Sequence, residues 1–181
     1  MPETSNDVIR RYLEDAIAAE RSFETQLQGF ARDGDDDEVK AIFRTHADET
    51  RVQYERLTTR LHQLGGSPST AKSLLAHIFG LTPKPAQVGH EAEERTTQNL
   101  IMAFTVESSE CAMYEALASA AEAAGDPDTQ ALALEIQAQE KQTAERVWRL
   151  IASRAKIAFN LLTISETDPT VSTRAAEDRL V

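Results

Sequence analysis

Ile9, Leu13, Ala16, Glu20, Phe23, Leu27 and Phe30 recur at alternating four- and three-residue steps, which keeps them on one face of an α-helix. All are apolar except Glu20. The pattern returns in a second stripe of Val39, Ile42, His46, Glu49, Gln53, Leu57 and Leu61, where the middle positions are polar and the ends apolar. Leu100, Phe104, Glu107, Cys111, Tyr114, Leu117 and Ala121 form a third stripe, with Glu110 beside it. Ala133, Ile136 or Gln137, Glu140, Ala144, Val147 and Ile151 form a fourth. Each stripe therefore predicts a long helix with a glutamate set into its buried face.

Turn residues bound these helices. Ser5 or Asn6 is placed to cap the first, which runs to about Arg32. Gly34 and the aspartates around it break the chain before a second helix from about Asp37 to Leu64. Gly65-Gly66-Ser67-Pro68 ends that helix, and Pro83 and Pro85 rule out a continuous helix before about residue 89. Ser73 to Phe79 suits a short extra helix within this long connection. So long a connection has a reason if it crosses the whole molecule and lets the third helix run parallel to the second. The third helix is expected from about His90 to Ala124, and the fourth from about Pro127 to Ala158 after the break at Gly125-Asp126. The expectation is all-α: a four-helix bundle over residues 1–162, with one long crossover between helices two and three. Residues 163–181 are polar and aperiodic, and a loosely ordered tail is expected there.

Charge narrows the function. The 181 residues carry 19 Lys plus Arg against 30 Asp plus Glu, a net charge of −11. An acidic surface without a basic patch argues against nucleic acid and anionic membranes as partners. No apolar run approaches the roughly 20 residues that a membrane helix needs. The acidic start of the chain lacks the apolar core of a signal peptide, and Cys111 is the only cysteine, so a cytoplasmic location is expected.

The candidate chemistry lies in the stripes. A carboxylate in an apolar core is costly unless it is paired, protonated or bound to a cation, and several converging there also repel one another. One or two divalent metal ions would resolve both problems. Di-iron and di-manganese sites in helix bundles take a Glu from each of two helices and a Glu-x-x-His from each of the others. Glu20 and Glu107 fit the single-Glu roles, and Glu49 and Glu140 the paired ones. Val52 and Thr143 stand where the paired histidines are expected, but His46 precedes Glu49 by one turn and Glu110 follows Glu107 by one turn. The candidate metal ligands are thus Glu20, His46, Glu49, Glu107, Glu110 and Glu140. Mixed imidazole and carboxylate donors suit iron or manganese. Trp148 reads as packing, in the core or at a contact between subunits.

Four segments, AIAAERSFETQL, FRTHADETRVQYERL, TVESSECAMYEALA and QEKQTAERV, resemble the YciF-like family of ferritin-like proteins. The resemblance covers roughly residues 8–152. Its motifs are Ala19-Glu20-Arg21, His46-x-x-Glu49-Thr50, Glu107-x-x-Glu110 with Tyr114 one turn later, and Glu140-Lys141. It implies a ferritin-like four-helix bundle, usually a homodimer, with a site for up to two iron or manganese ions and a stress-related role. The four carboxylates on core stripes themselves suggest the reaction expected of this chain, oxidation of Fe(II) with reduction of O₂ or peroxide. The family's third-helix motif carries a His directly after its first Glu, where this chain has Ser108; one candidate ligand is thereby lost. An alternative expectation is a non-enzymatic, stress-associated interaction protein with a vestigial site, its glutamates protonated or paired with Arg21, Arg51 or Lys141.

Overall fold

A computed structural model describes residues 3–33, 35–68 and 90–167, with side chains to residue 164. Four long helices make up almost all of it: α1 (Ser5–Phe30), α2 (Asp37–Gln63), α3 (Arg95–Ala124) and α4 (Pro127–Thr167). Thr4, rather than Ser5 or Asn6, caps α1. Its hydroxyl accepts the Asp7 N–H (3.2 Å), and the Asp7 carboxylate accepts the Thr4 N–H (3.0 Å). Asp36 caps α2 by accepting the Val39 N–H (3.0 Å). A single 3-10 turn, Ala92–Glu94, delays the start of α3 beyond the expected His90. Gly125 closes α3 in the left-handed region (φ 70°), which glycine enters without a Cβ penalty. Asp126 then accepts the Thr129 N–H (3.0 Å), and Pro127 occupies the first helical position of α4.

Polar clamps fix how the helices run. At one end of the bundle, Arg154 of α4 donates through Nε to Asp36 (2.7 Å) before α2, and Arg95 of α3 donates to Asp33 (3.2 Å) after α1. At the other end, Arg60 of α2 donates to Asp126 (2.6 Å) and Thr129 (2.8 Å) at the start of α4. Helices α2 and α3 therefore begin at the same end and run parallel. The chain leaving α2 must traverse the bundle, about 40 Å at 1.5 Å per residue, to begin α3. This is an all-α, ferritin-like bundle with the expected order of helices. The short extra helix expected at Ser73 to Phe79 and most of the long connection fall in residues 69–89, outside the described residues, as do Gly34 and residues 168–181. Among the described residues no helix is long and apolar enough to cross a membrane.

The core forms two apolar clusters. One joins Ile9, Leu13, Leu57, Leu61, Leu117 and Ile136 near the Arg60 end. The other joins Phe23, Leu27, Phe43, Leu100, Ala103 and Val147 towards the Arg154 end. The predicted glutamates lie in sequence between the two groups on each helix. The whole α1 stripe from Ile9 to Phe30 is buried as its spacing predicts. Helix α4 outruns the expected Ala158: Ala158 is itself buried, and Ile157, Phe159, Leu161 and Ile164 continue the helix while exposed. Trp148 is also on the surface, tilted against Phe104 with ring centroids 5.0 Å apart, and does not enter the core.

Leu57 is fully buried in the first cluster. Leu57→Ala is expected to lower unfolding free energy by about 2–5 kcal/mol in urea titrations, through lost transfer energy and an unfilled cavity. A loss below about 1 kcal/mol would contradict this packing.

Candidate metal centre

Between the apolar clusters, all four helices deliver polar side chains to one buried layer. α1 supplies Glu20, α2 His46, α3 Glu107 and Glu110, and α4 Glu140; none is more than 3% exposed. His46, Glu107 and Glu140 each place a ligand atom within 4.8 Å of the other two. His46 Nε2 is hydrogen-bonded to Glu107 Oε1, and the edge of Phe23 holds the imidazole ring (centroids 5.4 Å apart, planes at 70°). Gln53 Nε2 donates to Glu140 Oε1 (2.5 Å) and to Gln139 Oε1 (3.1 Å). The Tyr114 hydroxyl donates to Glu20 Oε1. Both oxygens of Glu110 and one each of Glu20, Glu107 and Glu140 have no hydrogen-bond partner.

The electrostatics of this layer follow from burial. Glu20 is pushed up to about 8 by desolvation, which outweighs the Tyr114 hydrogen bond and the His46 charge. Desolvation, reinforced by the Glu20 and Glu107 charges, holds Glu110 well above the usual carboxylate range. Glu140 is likewise raised, by burial first and then by Glu107 and Glu110. Burial alone would lower the His46 imidazolium, but the Glu107 charge and hydrogen bond, helped by Glu49, lift it to about 9. The layer cannot ionise fully without added positive charge. One imidazole and several unpartnered carboxylate oxygens, drawn from facing helices, fit a divalent cation of the kind that accepts mixed nitrogen and oxygen donors.

The family profile described as a domain of unknown function, DUF892, matches residues 4–159. The chain belongs to the DUF892 family. Solved structures agree on the fold of this DUF892 protein. The Escherichia coli stress protein YciF is 24% identical, with a TM-score of 0.75 over 86% of this chain and 99% of that one. A protein of Xanthomonas campestris is also 24% identical, with a TM-score of 0.74 over 88% and 98%. A Dps protein of Vibrio cholerae, described as a member of a broad superfamily of ferritin-like diiron-carboxylate proteins, is 13% identical, with a TM-score of 0.59 over 81% and 91%. No curated protein matches the chain in sequence.

The DUF892 fold draws five of the six candidate ligands inward and leaves one at the rim. The Glu49 side chain is 43% exposed and turns to the surface, where its Oε2 lies 3.4 Å from Arg146 and 3.5 Å from His46 Nδ1. Thr50 takes the buried place on α2, in line with His46, Gln53 and Leu57. At 100° per residue Glu49 lies on the edge of that arc, where its charge can stay solvated. The His46 and Arg146 contacts hold the Glu49 carboxyl below its usual range. Ser108 is exposed, and its hydroxyl donates to the Phe104 carbonyl (2.8 Å). A histidine at 108 would leave α3 on the solvent side, so the serine costs this buried layer no ligand. Gln53 and Tyr114 were legible only as inward positions on their stripes, yet they hold Glu140 and Glu20 in place. Arg51 pairs with Asp48 at the surface (3.2 Å) and Lys141 donates to Gln137 (2.9 Å), so both cations are engaged away from the buried glutamates.

These shifts fix a pH dependence for the metal-free chain. Glu20 is raised from 4.5 to about 8, so its contribution is complete below 4.5 and lost as pH rises through 8. His46 is raised from 6.5 to about 9, so its contribution is complete below 6.5 and lost as pH rises through 9. Both act in one direction. With chelator present, Tm is expected to fall between about pH 6 and about pH 9; an unchanged or rising Tm would contradict the buried layer.

Proposed function

We propose that the chain binds iron or manganese, up to two ions, in its central layer and oxidises Fe(II) while reducing O₂ or peroxide, in a stress-related role. The observation that carries this reading is the set of unpartnered carboxylate oxygens buried with His46 between the two apolar clusters. His46, Glu107 and Glu140 would hold one ion. Glu20 and Glu110 would hold a second. Bound iron or manganese supplies the one-electron changes that such oxidations require.

The chain's own residues prepare that chemistry. Loading requires His46 Nε2 to give up the proton it shares with Glu107, and Glu110 and Glu140 to lose their carboxyl protons. Metal uptake is therefore coupled to proton release, and affinity rises with pH. The Tyr114 hydroxyl and the Gln53 amide fix the orientation of Glu20 and Glu140 before any ion arrives. The apolar clusters on either side exclude water and strengthen every charge interaction within the layer. Exposed Trp148, Phe159, Leu161 and Ile164 on α4 support pairing of two chains as a homodimer. A cytoplasmic site of action accords with the lone cysteine, Cys111.

A second reading rests on the hydrogen bonds already made. Glu20, Glu107 and Glu140 each have one satisfied oxygen without a metal, which favours a vestigial site in a non-enzymatic, stress-associated interaction protein. Metal content separates the two. Protein produced in iron- or manganese-supplemented medium is expected to carry about two ions per chain, lost in the Glu20→Ala/Glu140→Ala double variant. A folded wild-type chain without metal, whose Tm ignores chelator, would instead establish the vestigial reading.

The glutamates also oppose stability to function. Glu140→Gln keeps the shape and removes the titrating group. It is expected to raise the Tm of the metal-free protein while lowering metal content. A lower Tm in the absence of metal would contradict the cost assigned to this carboxylate.

A further inference from the structure

Helices α2 and α4 are pinned to each other at both ends and are bridged between the ends by Arg56 to Glu135 (3.0 Å) and by Gln53 to Gln139 and Glu140. Arg60 clamps one end to Asp126 and Thr129, and Arg154 clamps the other to Asp36 and Glu38. Between the clamps is a cleft of about 570 Å³, whose lining includes Asp48, Glu49, Val52 and Arg56 of α2 and Gln139 and Arg146 of α4; the Arg56 charge is engaged by Glu135 (3.0 Å). That volume holds a hydrated ion, since one water occupies about 30 Å³ in the liquid.

Two residues of the cleft lining, Gln139 and Glu49, are linked by polar contacts to the buried layer. Gln53 Nε2 bonds at once to Gln139 at the rim and to Glu140 in the centre. Glu49 Oε2 faces the cleft on one side and lies 3.5 Å from the buried Nδ1 of His46 on the other. That nitrogen has no hydrogen-bond partner. Above and below, the layer is closed by the two apolar clusters. A cation crossing those would shed its water with nothing to replace it, whereas the cleft offers the Asp48 and Glu49 carboxylates and then the unpartnered Nδ1 of His46.

Arg146 lies across the opening. Its guanidinium donates to Thr143 Oγ1 (2.7 Å) and sits 3.4 Å from Glu49 Oε2. The pair is about half exposed, so solvent screens it and it opens readily. We propose that the α2–α4 cleft is the route by which divalent cations reach the buried layer, with Asp48 and Glu49 as transit carboxylates and Arg146 as a gate. The route rests on the metal-binding reading above. When Arg146 swings into solvent, Glu49 is uncovered and can pass a cation inward to His46, Glu107 and Glu140. When it returns, the like charge of Arg146 opposes escape.

Co(II) reports the route by its visible absorbance, using the full chain and rapid mixing, with release followed on adding chelator. Arg146→Ala is expected to speed both uptake and release by about tenfold, the lower end of what charge in a cleft does to association rates. Val52→Trp, which fills the cleft, is expected to slow both. Stoichiometry should match wild type in each. Arg149→Ala removes an equal charge one turn away, where Arg149 pairs only with exposed Glu145, and is expected to leave the rates unchanged. Normal stoichiometry with wild-type rates in Arg146→Ala and Val52→Trp would overturn the route and leave the metal reading standing. Equal acceleration by Arg149→Ala would assign the effect to net charge and also overturn it. A wild-type chain that takes up no Co(II) would overturn the metal reading, and the route with it.

Discussion

The structure turns on the burial of carboxylates midway along a helix bundle. Glu20, Glu107, Glu110 and Glu140 are out of water, and among the described residues His46 is the one buried imidazole set with them. An unpaired buried charge costs several kcal/mol, on the scale of a domain's whole stability. A protein that gathers four such groups in one layer has a fold chosen for something other than its own stability. Proton uptake offsets part of the cost in the metal-free chain, and a divalent cation would offset more.

The bundle makes such a layer feasible. Four long helices packed side by side can each reach the same level with a side chain from its middle. The Arg60 and Arg154 clamps tie α2 to α4 at their ends, and between them Arg56–Glu135 and Gln53–Glu140 bridge the two helices on either side of a cleft beside Glu49. The apolar clusters on either side then supply the packing that the polar layer cannot. Gln53 and Tyr114 act between these parts, each using one hydrogen bond to orient a glutamate from the neighbouring helix.

Much of this was legible in residue spacing, and the failures have physical causes. The α1 stripe is apolar at every position but Glu20, so a single helical phase explains it. On α2 the central positions are all polar, and Glu49, Thr50 and Gln53 fit more than one phase. Hydrophobicity could not choose between Glu49 and Thr50, and packing against the other helices set Thr50 inward. The position of Ser108 beside Glu107 suggested a lost ligand, but adjacent residues on a helix point about 100° apart and only one of them faces the layer. The capping box of Thr4 and Asp7 was present in the sequence as a Thr-x-x-Asp pattern, overlooked beside the equally good caps Ser5 and Asn6. The length of α4 could not be read from a stripe, because its last turns are apolar without being buried.

Anomalous X-ray scattering at the iron or manganese edge, from crystals of metal-loaded protein, tests the central claim most directly. The account predicts anomalous density within the layer, at bonding distance from His46 Nε2 and carboxylate oxygens of Glu107 and Glu140. Loaded crystals with density only at surface carboxylates, such as Asp33 to Asp37, and none in the core would contradict it.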